Sequence, residues 1–334
     1  EKPIPQPTGF DGVIRPLLVS PCTSDVHNVE IDCLKPGRIL GHEGLGEIVA
    51  VGEGVKEFQV GEIVVVPPVT PDWRTVPSQL GAHQHCAGLI TGQKLSNSED
   101  GLLAEYALIR DLDANAARIP PGVSPEGAVM AADMLNTGLY GAELAEVRPG
   151  DTVVVMGVGP VGLMAIAGAR LRGAGRIIAI GSRKAGVELA KFYGATDLVN
   201  YKEGNVERQI YELTHKQGAD CCICAGGGTE ALGQAVAMVR WGGTVGNVNY
   251  FTTYGDLPLN NVRYGFGMGN KTIRGGECPG GRARMEKLLA LLQYGRVDPV
   301  PLITHRFQGL DQVETAFHLM AEKPPALVKT IVAL

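Results

Sequence analysis

The chain has 334 residues, 45% of them hydrophobic, and a formal net charge of -5. That length suits about two domains, and the charge balance lacks the clustered Lys and Arg of a nucleic-acid binder, so nucleic acid is excluded as a partner. No apolar stretch reaches the roughly 20 residues of a membrane span, because charges or glycines interrupt each one, and no secretory signal is visible.

The chain opens on EKPIPQP without a Met, which points to a short preceding segment. From there to about Ile119 the runs GEIVAVG, GEIVVVPP and AEYALI alternate with turns at Gly52–Gly54, Gly61 and Pro67–Pro68. Short strands of uneven length between Gly/Pro breaks predict a β-rich domain. At Ser124 the character changes: Ser124 is placed as an N-cap with Pro125 at the first helical position, opening helical material.

A regular alternation follows. The strands DTVVVM, RIIAI, DLVN, ADCCICAG and GGTVGNVNY are separated by the helical stretches GPVGLMAIAGARLRG, KAGVELAKFYG, VERQIYELTHKQ and TEALGQAVAMVRW. Nearly all-apolar strands alternating with helices predict an α/β fold built on a doubly wound parallel sheet of the Rossmann kind. A helix near Ala283–Tyr294 and the tail ALVKTIVAL close the chain. Seven cysteines, at positions 22, 33, 86, 221, 222, 224 and 278, are too scattered for a disulfide scaffold, so they are expected reduced and the compartment cytoplasmic.

Gly157-Val158-Gly159-Pro160-Val161-Gly162 directly follows a predicted strand and opens a helix, the context that turns a bare GxGxxG into a dinucleotide fingerprint. Its glycines make the turn, admit the pyrophosphate and let helix pack on strand, with the phosphates at the helix N-terminus. An NAD site would place Asp or Glu about 20 residues further on. Here the second strand ends in Gly181-Ser182-Arg183 instead. Arg183 can pair with a 2′-phosphate and Ser182 can add a hydrogen bond, so the cofactor expected is NADP(H), with Tyr201 flanking the adenine or the phosphate.

Three metal-ligand types lie far apart. Cys22 sits in the polar turn of SPCTSDVH, His42-Glu43 in LGHEGLGEIVAV, and Asp133 in the apolar VMAADMLN. A thiolate, an imidazole and a carboxylate suit a tetrahedral catalytic zinc with one open position. Spacing alone is too loose to establish such a site and favours the plainer reading of a buried Cys, a satisfied His and a helix-capping Asp.

The run GHEGLGEIVAVGEGVKEFQVGEIVVV resembles the zinc signature of the medium-chain dehydrogenases. PCTSD, GHE, PDWRT, HQH, ADMLNTG, GVGPVGLMA, GSR, NVNYF and ECPGG extend the likeness over essentially the whole chain. Within that family it is similar to the NADP-dependent, tetrameric secondary-alcohol dehydrogenases of anaerobic microbes. The resemblance implies a β-rich, GroES-like catalytic domain over residues 1–136 and a dinucleotide-binding Rossmann domain over 137–277. A C-terminal segment, 278–334, is then expected to return to the catalytic domain. It also implies a homotetramer holding one catalytic Zn2+ per subunit on Cys22, His42 and Asp133, with Glu43 as an interchangeable ligand and the nearby glycines keeping side chains out of a crowded site. Ser24 and His27 match a proton relay from the alcohol to solvent, and Thr137 and Asn249 are carried over to the nicotinamide end. The substrates implied are small secondary alcohols and ketones, with primary alcohols and aldehydes slower. A zinc-free quinone or enoyl reductase and a non-catalytic NADPH-binding protein on the same fold are the alternatives.

The chain also departs from its relatives. The four-cysteine lobe of a structural zinc is missing, and the corresponding loop offers only His83, His85 and Cys86, at most a weak adventitious site. Gln93 aligns where the family often has a tryptophan at the pocket edge, allowing a more polar or roomier pocket. Cys221, Cys222 and Cys224 fall on a predicted buried strand and are assigned to packing, and Cys278 to the substrate side or a subunit contact. His215, His305 and His318 are assigned nothing; the family's pattern brings Lys323 or Lys329 toward the cofactor, and neither is counted among the site residues.

Overall fold

The computed structural model describes residues 1–31, 34–251, 255–259 and 265–334, which leaves Cys33 outside the described residues. Contacts divide the chain into two units, Glu1–Asp133 with Cys278–Leu334, and Met134–Glu277. In chain order the first unit contributes β1 (Gly12–Val19), β2 (Gly44–Val51), β3 (Ile63–Val66), β4 (Ala107–Ile109) and β5 (Ala117–Arg118). The second holds β6 (Thr152–Met156), β7 (Arg176–Ile180), β8 (Asp197–Val199), β9 (Ala219–Cys224), β10 (Val239–Asn247) and β11 (Thr272–Gly275). β12 (Ile303–Gln308) and β13 (Lys329–Ala333) belong to the first unit again.

In the first unit a 7-stranded sheet runs β12-β13-β1-β2-β3-β5, with β4 also paired to β1. Ile14, Val19, Ile48, Val64, Val66 and Ile109 fill its core. The antiparallel register of β1 with β2 ends at Val19↔Gly44, and one step on the Ser20 amide donates to the Glu43 carbonyl. That pairing delivers the chain entering Cys22 to the same place as His42 and Glu43.

The second unit is a 6-stranded parallel sheet, β11-β10-β9-β6-β7-β8. Such a sheet is covered on both faces, which is why its strands read as unbroken apolar runs. Cys222 and Cys224 pack in its core with Val154 and Ile178. Burial pushes the Cys221 and Cys224 thiols up to about 12 and holds Cys222 well above its ordinary value, so all three stay protonated and serve packing. The six described cysteines are free. Among the described residues no helix is long and apolar enough to cross a membrane.

Local signals held at Ser124, whose hydroxyl accepts from the Gly127 amide with Pro125 opening the helix. Two expectations need correction. SPCTSDVH is not a turn: Cys22 is the N-cap of a helix, α1 (Thr23–Glu30). The helix expected through Trp241 ends at Met238, and Val239 already pairs with Ala219 as strand, because the β-branched and aromatic residues before Gly242-Gly243 suit a sheet better than a helix end. β11 had no expectation at all.

Candidate metal centre and dinucleotide turn

Cys22, His42, Glu43 and Asp133 converge within the first unit, each offering a ligand atom within 4.8 Å of the others. Three elements achieve this. The N-cap of α1 supplies Cys22, the entry to β2 supplies His42 and Glu43, and a π-helical turn, Ala131–Leu135, supplies Asp133. A π turn inserts one residue into a helix and re-aims its side chains, a device frequent at functional sites.

The spacing suits an ion. Donors about 2.0–2.3 Å from a tetrahedral zinc lie roughly 3.3–3.8 Å from one another. Asp133 Oδ2 is 3.6 Å from His42 Nε2 and 3.9 Å from Cys22 Sγ. All four residues are nearly sealed, at 9% exposure for Cys22, 1% for His42, 0% for Glu43 and 8% for Asp133. Glu43 Oε2 is buried with no hydrogen-bond partner, a cost that a cation in the cluster would relieve. Donor chemistry, spacing and this unpaired oxygen all fit zinc.

Two further residues complete the centre. Asp25, fully buried on α1, places Oδ1 3.2 Å from His42 Nδ1. An Nδ1–H donating there leaves the Nε2 lone pair facing Cys22 and Asp133, the carboxylate–histidine arrangement that orients metal-binding imidazoles. Lys329, on β13, reaches Glu43 Oε1 in a buried ion pair. Burial opposes charge on Lys329, but Cys22, Glu43 and Asp133 hold the ammonium above its ordinary pKa. Burial also opposes the Cys22 thiolate, yet Lys329 and His42 outweigh it and lower the thiol's pKa. A lowered thiol is a ready metal ligand.

Neither Asp25 nor Lys329 was picked out as a site residue from the sequence. An acid in the first turn of a helix and a lysine in a short strand are both ordinary; only their complete burial marks them. Asp25→Ala is expected to weaken metal binding about 10- to 100-fold, the usual effect of removing such a partner, with the fold retained. Competition with a metal-binding dye checks this, and unchanged affinity would remove Asp25 from the centre.

Ser24 Oγ donates to Cys22 Sγ at 3.2 Å, and His27 lies one helical turn on, half-buried. Burial, then Lys323, lower the His27 pKa and favour its neutral form. The glycines serve a different purpose from the one expected. A Cβ on Gly44 would come 2.8 Å from the Leu18 carbonyl, so Gly44 lets β2 close on β1 rather than clearing the metal.

His83, His85 and Cys86 do not assemble. His83 stacks on Trp73 and its Nε2 accepts from the Gly280 amide, while His85 Nδ1 accepts from the Ile90 amide. The quartet at Cys22 is the one such donor group among the described residues. Cys278 is buried in the first unit.

In the second unit Gly157 adopts φ +99° after β6, Gly159 is the N-cap and Pro160-Val161-Gly162 open the helix Pro160–Leu171. A Cβ on Gly162 would lie 2.0 Å from the Gly157 carbonyl oxygen, so the turn closes only on glycine. At Gly159 a Cβ would meet nothing but Arg183 Nη2, at 3.5 Å, which leaves the helix N-terminus open beside a guanidinium. Gly181 ends β7 against Val158, where a Cβ would fall 2.2 Å from a methyl; no carboxylate fits there, and Ser182 and Arg183 follow half-buried. Tyr201 is exposed just after β8. Thr137 precedes Gly138, whose Cβ would come 2.5 Å from the Ala165 amide nitrogen, so its helix lies directly on the fingerprint helix. Asn249 Nδ2 donates to the Gly227 carbonyl.

Residues 11–121 match the alcohol dehydrogenase GroES-like domain, and residues 160–294 match the zinc-binding dehydrogenase family. The chain belongs to the zinc-binding dehydrogenases. It is 53% identical to the NADP-dependent isopropanol dehydrogenase of Thermoanaerobacter brockii, across 100% of this chain and 95% of the relative. To the enzyme of the same name from Clostridium beijerinckii it is 50% identical, over 100% and 96%. Among solved structures, alcohol dehydrogenase TADH from Thermus sp. ATN1 superposes with a TM-score of 0.88 at 30% identity, covering 100% of this chain and 95% of that one. The α/β fold with its GroES-like and Rossmann parts is therefore that of a medium-chain dehydrogenase.

Proposed function

We propose that this dehydrogenase is a zinc-dependent oxidoreductase that moves hydride between NADP(H) and small secondary alcohols or ketones. The convergence of a thiolate, an imidazole and a carboxylate beside the paired Glu43 carries the zinc part. Full-length similarity to two NADP-dependent isopropanol dehydrogenases supports the cofactor and the substrate class. Nothing favours the zinc-free reductase or the non-catalytic alternative, neither of which accounts for the buried quartet.

In this proposal Cys22, His42 and Asp133 hold the metal and Asp25 fixes the His42 ring. Zinc held there would supply a Lewis acid for an alcohol or carbonyl oxygen, drawing the pKa of a hydroxyl it holds down toward neutrality. Ser24 Oγ takes the alcohol proton and His27, kept neutral by its surroundings, passes it toward solvent. Ser24 and His27 share one face of α1 at i, i+3 spacing, which supports the relay.

The second unit, with Gly157, Gly159, Pro160, Val161 and Gly162 at the pyrophosphate, is the dinucleotide-binding part. Gly181, Ser182, Arg183 and Tyr201 receive the adenosine 2′-phosphate end, and Thr137 and Asn249 the nicotinamide end. Arg183→Ala is expected to cost about 2 kcal/mol of NADPH binding, roughly 30-fold, as for a lost charge-assisted hydrogen bond, with NADH binding little changed. Fluorescence titration with both cofactors decides it, and equal NADPH affinity in the variant would discredit the assignment. A homotetramer and a cytoplasmic location belong to the same proposal; free cysteines suit a reducing compartment. Metal analysis together with NADPH oxidation by acetone or 2-butanone tests the whole: zinc-free protein, or no turnover of either ketone, would refute it.

A further inference from the structure

We propose that Lys329 is a positioning residue for Glu43, clamping its Oε1 so that the carboxylate is held in reserve at the edge of the donor cluster it forms with Cys22, His42 and Asp133. This rests on the metal centre proposed above.

The backbone presets the clamp. Ser20 is the crossing point: its amide donates to the Glu43 carbonyl and its hydroxyl to the Thr330 carbonyl at 2.7 Å. Thr304 Oγ1 secures the other side, donating to the Lys329 carbonyl at 3.2 Å and accepting from the Val328 amide at 3.0 Å. The main chains carrying Glu43 and Lys329 are thus tied through short hydrogen bonds, and the ion pair forms between two fixed supports.

A structural role alone explains this pair poorly. Lys329 is 1% exposed and heads the largest fully buried side chains. Burying both charges costs desolvation that well-packed apolar residues of similar size avoid, often with a net gain in stability. Glu43 Oε2 adds to the cost, since it is buried and accepts no hydrogen bond. What the pair accomplishes is anchorage: one carboxylate oxygen is held by the ammonium, the other accepts no hydrogen bond, and the residue still offers a ligand atom within 4.8 Å of three metal donors. Without the ammonium, the whole carboxylate is free to swing onto the ion as a fourth protein ligand, closing the position that substrate needs. A catalytic zinc keeps that position open.

The test uses the full-length protein loaded with Co2+, read by visible absorption and by the rate of metal release to EDTA. Wild type takes up one Co2+ per chain. K329M is expected to release it about tenfold more slowly, the scale on which outer partners tune metal affinity, with an altered cobalt spectrum in the absence of substrate. K329R retains wild-type release and spectrum, and E43Q/K329M returns both to near wild type. K329M with the wild-type spectrum and release rate overturns the proposal. If K329M does not fold, E43Q carries the test: its unpaired ammonium speeds release about tenfold and the added K329M reverses this. Release from E43Q at the wild-type rate then overturns the proposal. Wild-type protein that binds no Co2+ refutes the metal centre itself, and this inference with it.

Discussion

Cys22→Ala is expected to lower ketone-dependent NADPH oxidation by at least about three orders of magnitude, because Lewis-acid assistance is worth several kcal/mol and each 1.36 kcal/mol is tenfold in rate. Cys22 is the one soft donor of the quartet, and its thiolate is favoured by Lys329 and His42 against the pull of burial. An alanine there leaves His42, Asp133 and Glu43, which remain donors but lose the thiolate that biases the site toward zinc. It also strips Ser24 Oγ of its 3.2 Å acceptor, so the relay loses its orientation at the same time. Metal analysis and steady-state rates on the same preparation separate the two losses. A variant restored by millimolar zinc has lost affinity alone, whereas one that holds zinc and stays slow has lost the geometry. Near-wild-type turnover in metal-free Cys22→Ala would exclude the proposed chemistry.

What the sequence revealed divides along the range of the interactions involved. The fingerprint from Gly157 to Gly162 was legible because its constraints are local: the Cβ that Gly162 cannot carry would strike an oxygen five residues away. Ser124-Pro125 was legible for the same reason, a cap bonding to the amide of Gly127. The metal centre is built differently. His42 and Asp25 are 17 residues apart, Cys22 and Asp133 are 111 apart, and Lys329 meets Glu43 across 286. No periodicity encodes such pairings, so Cys22, His42, Glu43 and Asp133 came together only through the family resemblance. Asp25 escaped even that, and the resemblance pointed Lys329 toward the cofactor rather than toward Glu43. The π turn at Asp133 was equally hidden, since an inserted residue leaves an apolar helical stretch apolar. At Trp241 the failure was local, a helical pattern that ran on into residues better suited to β10.

Gly159 and Gly162 offer a second large effect, with two outcomes that differ in kind. Gly162→Ala pushes a methyl to 2.0 Å from the Gly157 carbonyl, and relief requires moving backbone on which β6 and the helix Pro160–Leu171 both depend. Overpacking of this sort costs about 3 kcal/mol, so NADPH affinity is expected to fall about 100-fold together with a lower melting temperature. Gly159→Ala meets no backbone, only Arg183 Nη2 at an ordinary 3.5 Å, and its φ of -81° suits alanine. Here the melting temperature is expected to hold while NADPH affinity still drops, because the methyl stands where the pyrophosphate must approach the backbone. Zinc content is expected to be unaffected in both, since all its donors lie in the other unit. Cofactor titration, thermal melts and metal analysis on the pair therefore distinguish a turn that must be glycine to fold from one that must be glycine to bind. Wild-type NADPH affinity in Gly159→Ala would mean the phosphates do not pass over this turn, and the role assigned to Arg183 beside it would fall too.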